Sequence, residues 1–150
     1  MQPCSVAGRE QAIDAMIALT RLSNLDRVIV AGTRSMQLSV SLRQRGFARI
    51  STPATCSGPR GQHSIALITA EMSEATTEVV LAEVSQLLAA NATIAILISS
   101  REGEFCLKIR KKLEQIGFGI EAGVRCKEGL VLSAHRQGFC QSFARIQTAA

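Results

Sequence analysis

The stretch Phe118–Ala134, FGIEAGVRCKEGLVLSA, decides how the rest of the chain is read. Apolar residues fill its two halves, Phe118–Cys126 and Leu130–Ala134, and Lys127-Glu128-Gly129 separates them. A three-residue connection containing Gly permits only an antiparallel pair of strands. Just upstream, Glu104–Ile116 has helical spacing, with Phe105, Leu107, Ile109, Leu113 and Ile116 predicted towards a core. Lys108, Arg110, Lys111 and Lys112 form its wet face, the cations suit the negative end of the helix dipole, and Gly117 follows as a stop.

Further upstream, Val28–Gly32, His63–Thr69 and Ala92–Ser99 are short, apolar and rich in β-branched residues, the pattern of strands buried on both faces of a parallel sheet. Between them lie helical patterns. Ala7–Leu22 places Ile13, Met16, Ile17 and Thr20 on one face, with Ala12 and Leu19 beside it. After Ser73, Val79, Val80, Ala82, Val84, Leu87 and Leu88 form a stripe, opposite Glu74, Glu78 and Glu83. Residues 36–42 pull two ways. Met36, Leu38, Val40 and Leu42 alternate at strand period, yet Leu42-Arg43-Gln44-Arg45-Gly46-Phe47 repeats the helix ending seen at Leu113–Phe118. The reading adopted is a helix over Ser35–Arg45 and a strand over Phe47–Ser51. Thr52–His63, TPATCSGPRGQH, is loop. The order α-β-α-β-loop-β-α-β-α-β-β predicts an α/β domain: a doubly wound, mostly parallel sheet that ends in an antiparallel hairpin. Residues 1–136 form that single domain. Residues 137–150 are a weakly periodic tail, expected to be partly disordered.

A chain of 150 residues with 47% apolar and 19% charged residues has the length of one domain and is too apolar to be disordered. No apolar run approaches the ~18 residues of a membrane span, and Met1–Glu10 lacks the apolar stretch of a signal peptide. The expectation is a cytoplasmic protein with no membrane partner. Cys4, Cys56, Cys106, Cys126 and Cys140 make an odd count without C-x-x-C spacing, which argues for reduced thiols and against a bound metal. With no Trp, no Tyr and five Phe, nucleic acid is an improbable partner. The net charge of +5 lies in residues 1–60, where eight Arg face Glu10, Asp14 and Asp26, but these cations are scattered and read as a solvated surface.

In layout the chain resembles the Rossmann-like S-adenosylmethionine-dependent methyltransferases, with a degenerate glycine motif. Val28-Ile29-Val30-Ala31-Gly32-Thr33-Arg34-Ser35-Met36 stands where that family has its first strand and glycine-rich turn. Gly46-Phe47-Ala48-Arg49-Ile50 resembles its second helix–strand junction, and Gln115–Ala134 its terminal hairpin. The resemblance implies cofactor contacts at Gly32, Thr33, Arg34, Ser35 and Ser51, and a catalytic candidate at Glu71, after the strand that follows the loop.

The departures fall inside that pocket. The family's turn reads as an acid followed by G-x-G-x-G, whereas here Ala31, Gly32, Arg34 and Met36 occupy those positions and one glycine survives. Arg34 and Met36 would put bulk where the family keeps bare hydrogens. Ile50-Ser51-Thr52 offers hydroxyls in place of the family's ribose-binding carboxylate, and the loop replaces a helix and strand that would wall the adenine. His63 and His135 read as surface residues at strand ends, and Cys56, near Arg60 and His63, is a minor candidate for an activated thiol. The leading expectation is a methyltransferase-like domain without ordinary cofactor binding, serving as an interaction or regulatory module for an unidentified protein or small molecule. Two alternatives stand: a divergent active methyltransferase using S-adenosylmethionine, and a small anion- or nucleotide-binding sensor built on Arg34 and Arg60. A homodimer is compatible with each.

Overall fold

The computed structural model describes residues 2–55, 61–70, 74–99 and 103–136. The elements are α1 (Gln2–Thr20), β1 (Val28–Gly32), α2 (Ser35–Gln44), β2 (Ile50–Ser51), β3 (His63–Ala70), α3 (Glu74–Leu87), β4 (Leu88–Ile98), α4 (Gly103–Gln115), β5 (Phe118–Cys126) and β6 (Gly129–Arg136). Six strands form one sheet in the order β2-β1-β3-β4-β6-β5. Strands β1 to β4 pair in parallel, and β6 runs antiparallel to both neighbours, inserted between β4 and β5. The predicted α/β architecture with its closing hairpin is therefore the observed one. The expected tail, residues 137–150, lies outside the described residues.

Alternate strand residues feed two cores. Ile29, Ala31, Ile94, Ile96 and Ile98 face α3 and α4, where they meet Leu81, Val84, Ile109 and Leu113. Val28, Val30, Ala95 and Leu97 face α1 and α2, where they meet Ala12, Met16, Leu38 and Leu42. Two-sided burial explains why these strands read as continuous apolar runs.

The structure resolves the ambiguity at residues 36–42 in favour of helix. Leu38 and Leu42, four residues apart, are buried, whereas Met36 is 78% exposed and Val40 also faces solvent. The strand-like alternation was incidental. Elsewhere the boundaries and faces shift. β2 is two residues long instead of spanning Phe47–Ser51, because pairing with β1 covers only Val28↔Ile50 and Ile29↔Ser51. α3 passes directly into β4, which begins at Leu88 and not at Ala92. The buried stripe of α3 is Thr77, Leu81 and Val84, leaving Val79 outside at 64% exposure. On α4, Leu107 is likewise 55% exposed instead of facing the core. The hairpin turn has two residues, Lys127 and Glu128, since Cys126 pairs with Gly129. A register shift between Ile120 and Ala122 makes Glu121 a bulge in the outer strand, a local irregularity that discourages edge pairing.

Candidate functional site

The chain leaves β1 for α2 and β2 on one side, and β3 for α3 and β4 on the other. Neighbouring strands whose connections diverge in this way leave a crevice beyond their carboxyl ends, the usual ligand position in open α/β sheets. Here that crevice opens beyond Gly32 and Thr69, which are paired in register.

The local contacts there are protein to protein. Gly32 has φ +102°, and a Cβ on it would overlap the backbone of Thr69. The Thr33 amide donates to the Thr69 carbonyl oxygen at 3.2 Å. The Arg34 amide donates to Thr69 Oγ1, also at 3.2 Å. Thr69 is buried, so one threonine of β3 engages two consecutive amides of the turn. Arg34 then precedes α2 with φ −115° and ψ 42° and supplies no side-chain cap to the helix.

Beside this turn lies an open cavity of about 400 Å³. Its wall is mostly apolar, with Ile13 and Met16 from α1, Leu38 and Val40 from α2, and Leu97 from β4. Arg34 and Glu128 bring opposite charges to it. Met36 also lines the cavity while remaining largely exposed, so neither it nor the exposed Arg34 fills the space that the sequence reading expected them to shut. Arg45, just past α2, joins Glu10 and Asp14 of α1 and fixes the two helices that flank the opening.

Of the five residues expected around a cofactor, Arg34 alone lines this cavity. Gly32 ends β1, Thr33 lies in the turn that follows, and Ser35 begins α2. Ser51 sits on β2 opposite Ile29, away from the end of β1. Thr52 is engaged in its own turn, its amide donating to Thr55 Oγ1 at 2.9 Å. Glu71, Cys56 and Arg60 lie outside the described residues. His63, at the start of β3, and His135, near the end of β6, lie at the opposite end of the strands from the crevice. His63 begins β3 and is buried at 8% exposure, contrary to the surface position expected for it. Its Nδ1 is the one buried side-chain polar atom without a hydrogen-bond partner among the described residues. Burial pushes its pKa below the usual imidazole value, and Arg27 acts in the same direction. His135 Nδ1 lies 3.2 Å from Thr93 Oγ1. The sequence reading missed Ile13, Met16, Leu97 and Glu128. The amphipathic face of α1 was legible, but which strand ends it overhangs was not.

No protein-family model matches the sequence, and no curated protein matches it either. Solved structures do. Magnesium protoporphyrin IX methyltransferase from Synechocystis PCC 6803, solved with bound S-adenosylhomocysteine, matches with a TM-score of 0.63 at 14% identity, over 87% of this chain and 84% of that one. The Burkholderia thailandensis 1,6-didemethyltoxoflavin-N1-methyltransferase gives 0.60 at 14% identity, over 87% and 79%. A tRNA (m1A58) methyltransferase from Aquifex aeolicus gives 0.55 at 13% identity, over 85% and 68%. The fold is that of the Rossmann-like S-adenosylmethionine-dependent methyltransferases. Within this methyltransferase fold the crevice at Gly32 and Thr69 is the candidate site. Among the described residues no cluster of three or more His, Cys, Asp or Glu is placed to hold a metal ion, and no helix is long and apolar enough to cross a membrane.

Proposed function

We propose that this chain is a methyltransferase-like domain that has lost ordinary S-adenosylmethionine binding and serves as an interaction or regulatory module. The observation that carries the reading is the engagement of the post-β1 turn by Thr69. The missing Cβ of Gly32 makes room for β3 instead of for a ligand, and the amides of Thr33 and Arg34 are hydrogen-bonded within the protein. A cofactor seated there would have to displace those bonds, each worth about 0.5–1.5 kcal/mol. At the end of β2, Ser51 and Thr52 present no carboxylate to a ribose. The residues present therefore do not suit the cofactor. Isothermal titration of the full chain with S-adenosylmethionine and S-adenosylhomocysteine tests this. No saturable heat is expected up to about 1 mM ligand; saturable micromolar binding of either overturns the loss.

A second reading, a divergent active methyltransferase, draws support from the cavity. Its volume of about 400 Å³ falls in the roughly 300–1,000 Å³ range of small-molecule sites. Methyl transfer relies chiefly on positioning, so few dedicated catalytic groups are needed. The same titration separates the two readings.

A further inference from the structure

The α3/α4 layer carries surface features that neither the fold nor the crevice uses. The two helices lie side by side over one core, sharing Leu81, Val84, Ile109 and Leu113. Each follows a parallel strand of the same sheet in a right-handed connection, so they run in the same direction. Their charges differ in sign. α3 contains Glu74, Glu78 and Glu83 and no cation. α4 contains Lys108, Arg110, Lys111 and Lys112 against Glu104 and Glu114. Each helix also exposes one large apolar side chain, Val79 on α3 and Leu107 on α4.

These features follow the same order along the two helices. Val79 is the sixth residue of α3 and Leu107 the fifth of α4. Glu83 is the tenth residue of α3 and Lys111 the ninth of α4, one turn further along each helix. Both Glu83 and Lys111 are exposed, and among the described residues neither takes part in an ion pair.

We propose that this face docks a second copy of the chain about a two-fold axis parallel to the helices, setting α3 of one protomer on α4 of the other. In that arrangement Val79 meets the partner's Leu107 and Glu83 meets the partner's Lys111, and symmetry makes each contact twice. The charges select this crossing. Stacking α4 on α4 would oppose two cationic helices, and α3 on α3 two acidic ones. An acidic polymer would suit α4 but be repelled by α3, whereas a second copy satisfies both. The helices have 14 and 13 residues and are about 20 Å long, so the contact is smaller than the ~800 Å² per partner of a standard interface. It should be correspondingly weak, and weaker in high salt.

Sedimentation equilibrium of the full chain at low salt, from about 5 to about 300 µM, is the test. A monomer–dimer equilibrium is expected. Glu83→Lys and Lys111→Glu should each raise the dissociation constant at least ~10-fold, and the two combined should return it to within ~3-fold of the parent. Both positions are exposed, so all three variants should melt at the parent temperature, which separates lost association from lost folding. A monomer at every concentration overturns the proposal. So does a dimer indifferent to the single reversals, or a combined variant as weak as either one. None of these outcomes depends on what occupies the crevice at Gly32.

Discussion

At Gly32 a backbone approach, not a ligand, sets the residue type. Its φ of +102° is costly for a side chain, and the Thr69 backbone stands where a Cβ would go. Gly46 makes a natural control: its φ is +100°, but nothing lies within 4 Å of its Cβ position. Gly46→Ala should therefore cost only the conformational strain, about 1 kcal/mol. Gly32→Ala should cost about 3 kcal/mol or more, because the strand spacing must also open. Urea unfolding of the two variants measures the difference, and equal losses would show that backbone angle alone matters. It follows that a bulky replacement of Gly32 is a poor probe of ligand binding, since it would disturb β1–β3 pairing first. The surviving glycine could be picked out from the sequence. Its partner Thr69, 37 residues downstream, could not, since only strand pairing brings them together.

Among the elements, α3 poses a problem that the sequence does not advertise. It runs into β4 with no intervening turn, so its last carbonyls need partners from elsewhere. Arg136, at the far end of β6, bridges this junction, engaging one carbonyl of α3 and two of β4. Its guanidinium donates to the carbonyl oxygens of Ser85 at 2.7 Å, Leu88 at 2.8 Å and Ala89 at 3.1 Å, and it lies 4.9 Å from the centre of the Phe118 ring. A cation at a helix C-terminus also complements the dipole. Arg136→Met keeps the stem over Phe118 but removes all three bonds, and should lower stability by about 2 kcal/mol. Thermal melting reads this out; a change below about 0.5 kcal/mol would mean that water serves those carbonyls equally well. The cap could not be inferred from α3 itself, because it comes from a residue about fifty positions away in the chain.

At the scale of the whole molecule, one sheet serves two cores. Adjacent residues of β1 and β4 belong to opposite faces, so loosening either helix layer disturbs strands on which the other rests. Leu42 in α2 and Leu81 in α3 are both fully buried, one in each core. Leu42→Ala and Leu81→Ala should each cost about 2–5 kcal/mol while leaving a single unfolding transition. Two resolved transitions in calorimetry would instead make the layers independent units.

The strands were legible because burial on both faces leaves a run of apolar residues that local sequence shows directly. The hairpin was legible because a short Gly-containing connection admits one geometry. Together these determined the α/β class, the number of strands and the antiparallel hairpin, whereas the insertion of β6 between β4 and β5 was decided by the tertiary structure. Helix faces were less secure: Val79 and Leu107 fit an apolar pattern, yet whether such a residue meets a core or solvent depends on how the helix is rotated against the sheet. The cavity lay beyond sequence reasoning altogether, since α1, α2, β4 and the hairpin turn are distant in the chain and meet only when the sheet order is fixed. Local periodicity is written residue by residue, whereas a site assembled from separate strand ends exists only after long-range packing has chosen their neighbours.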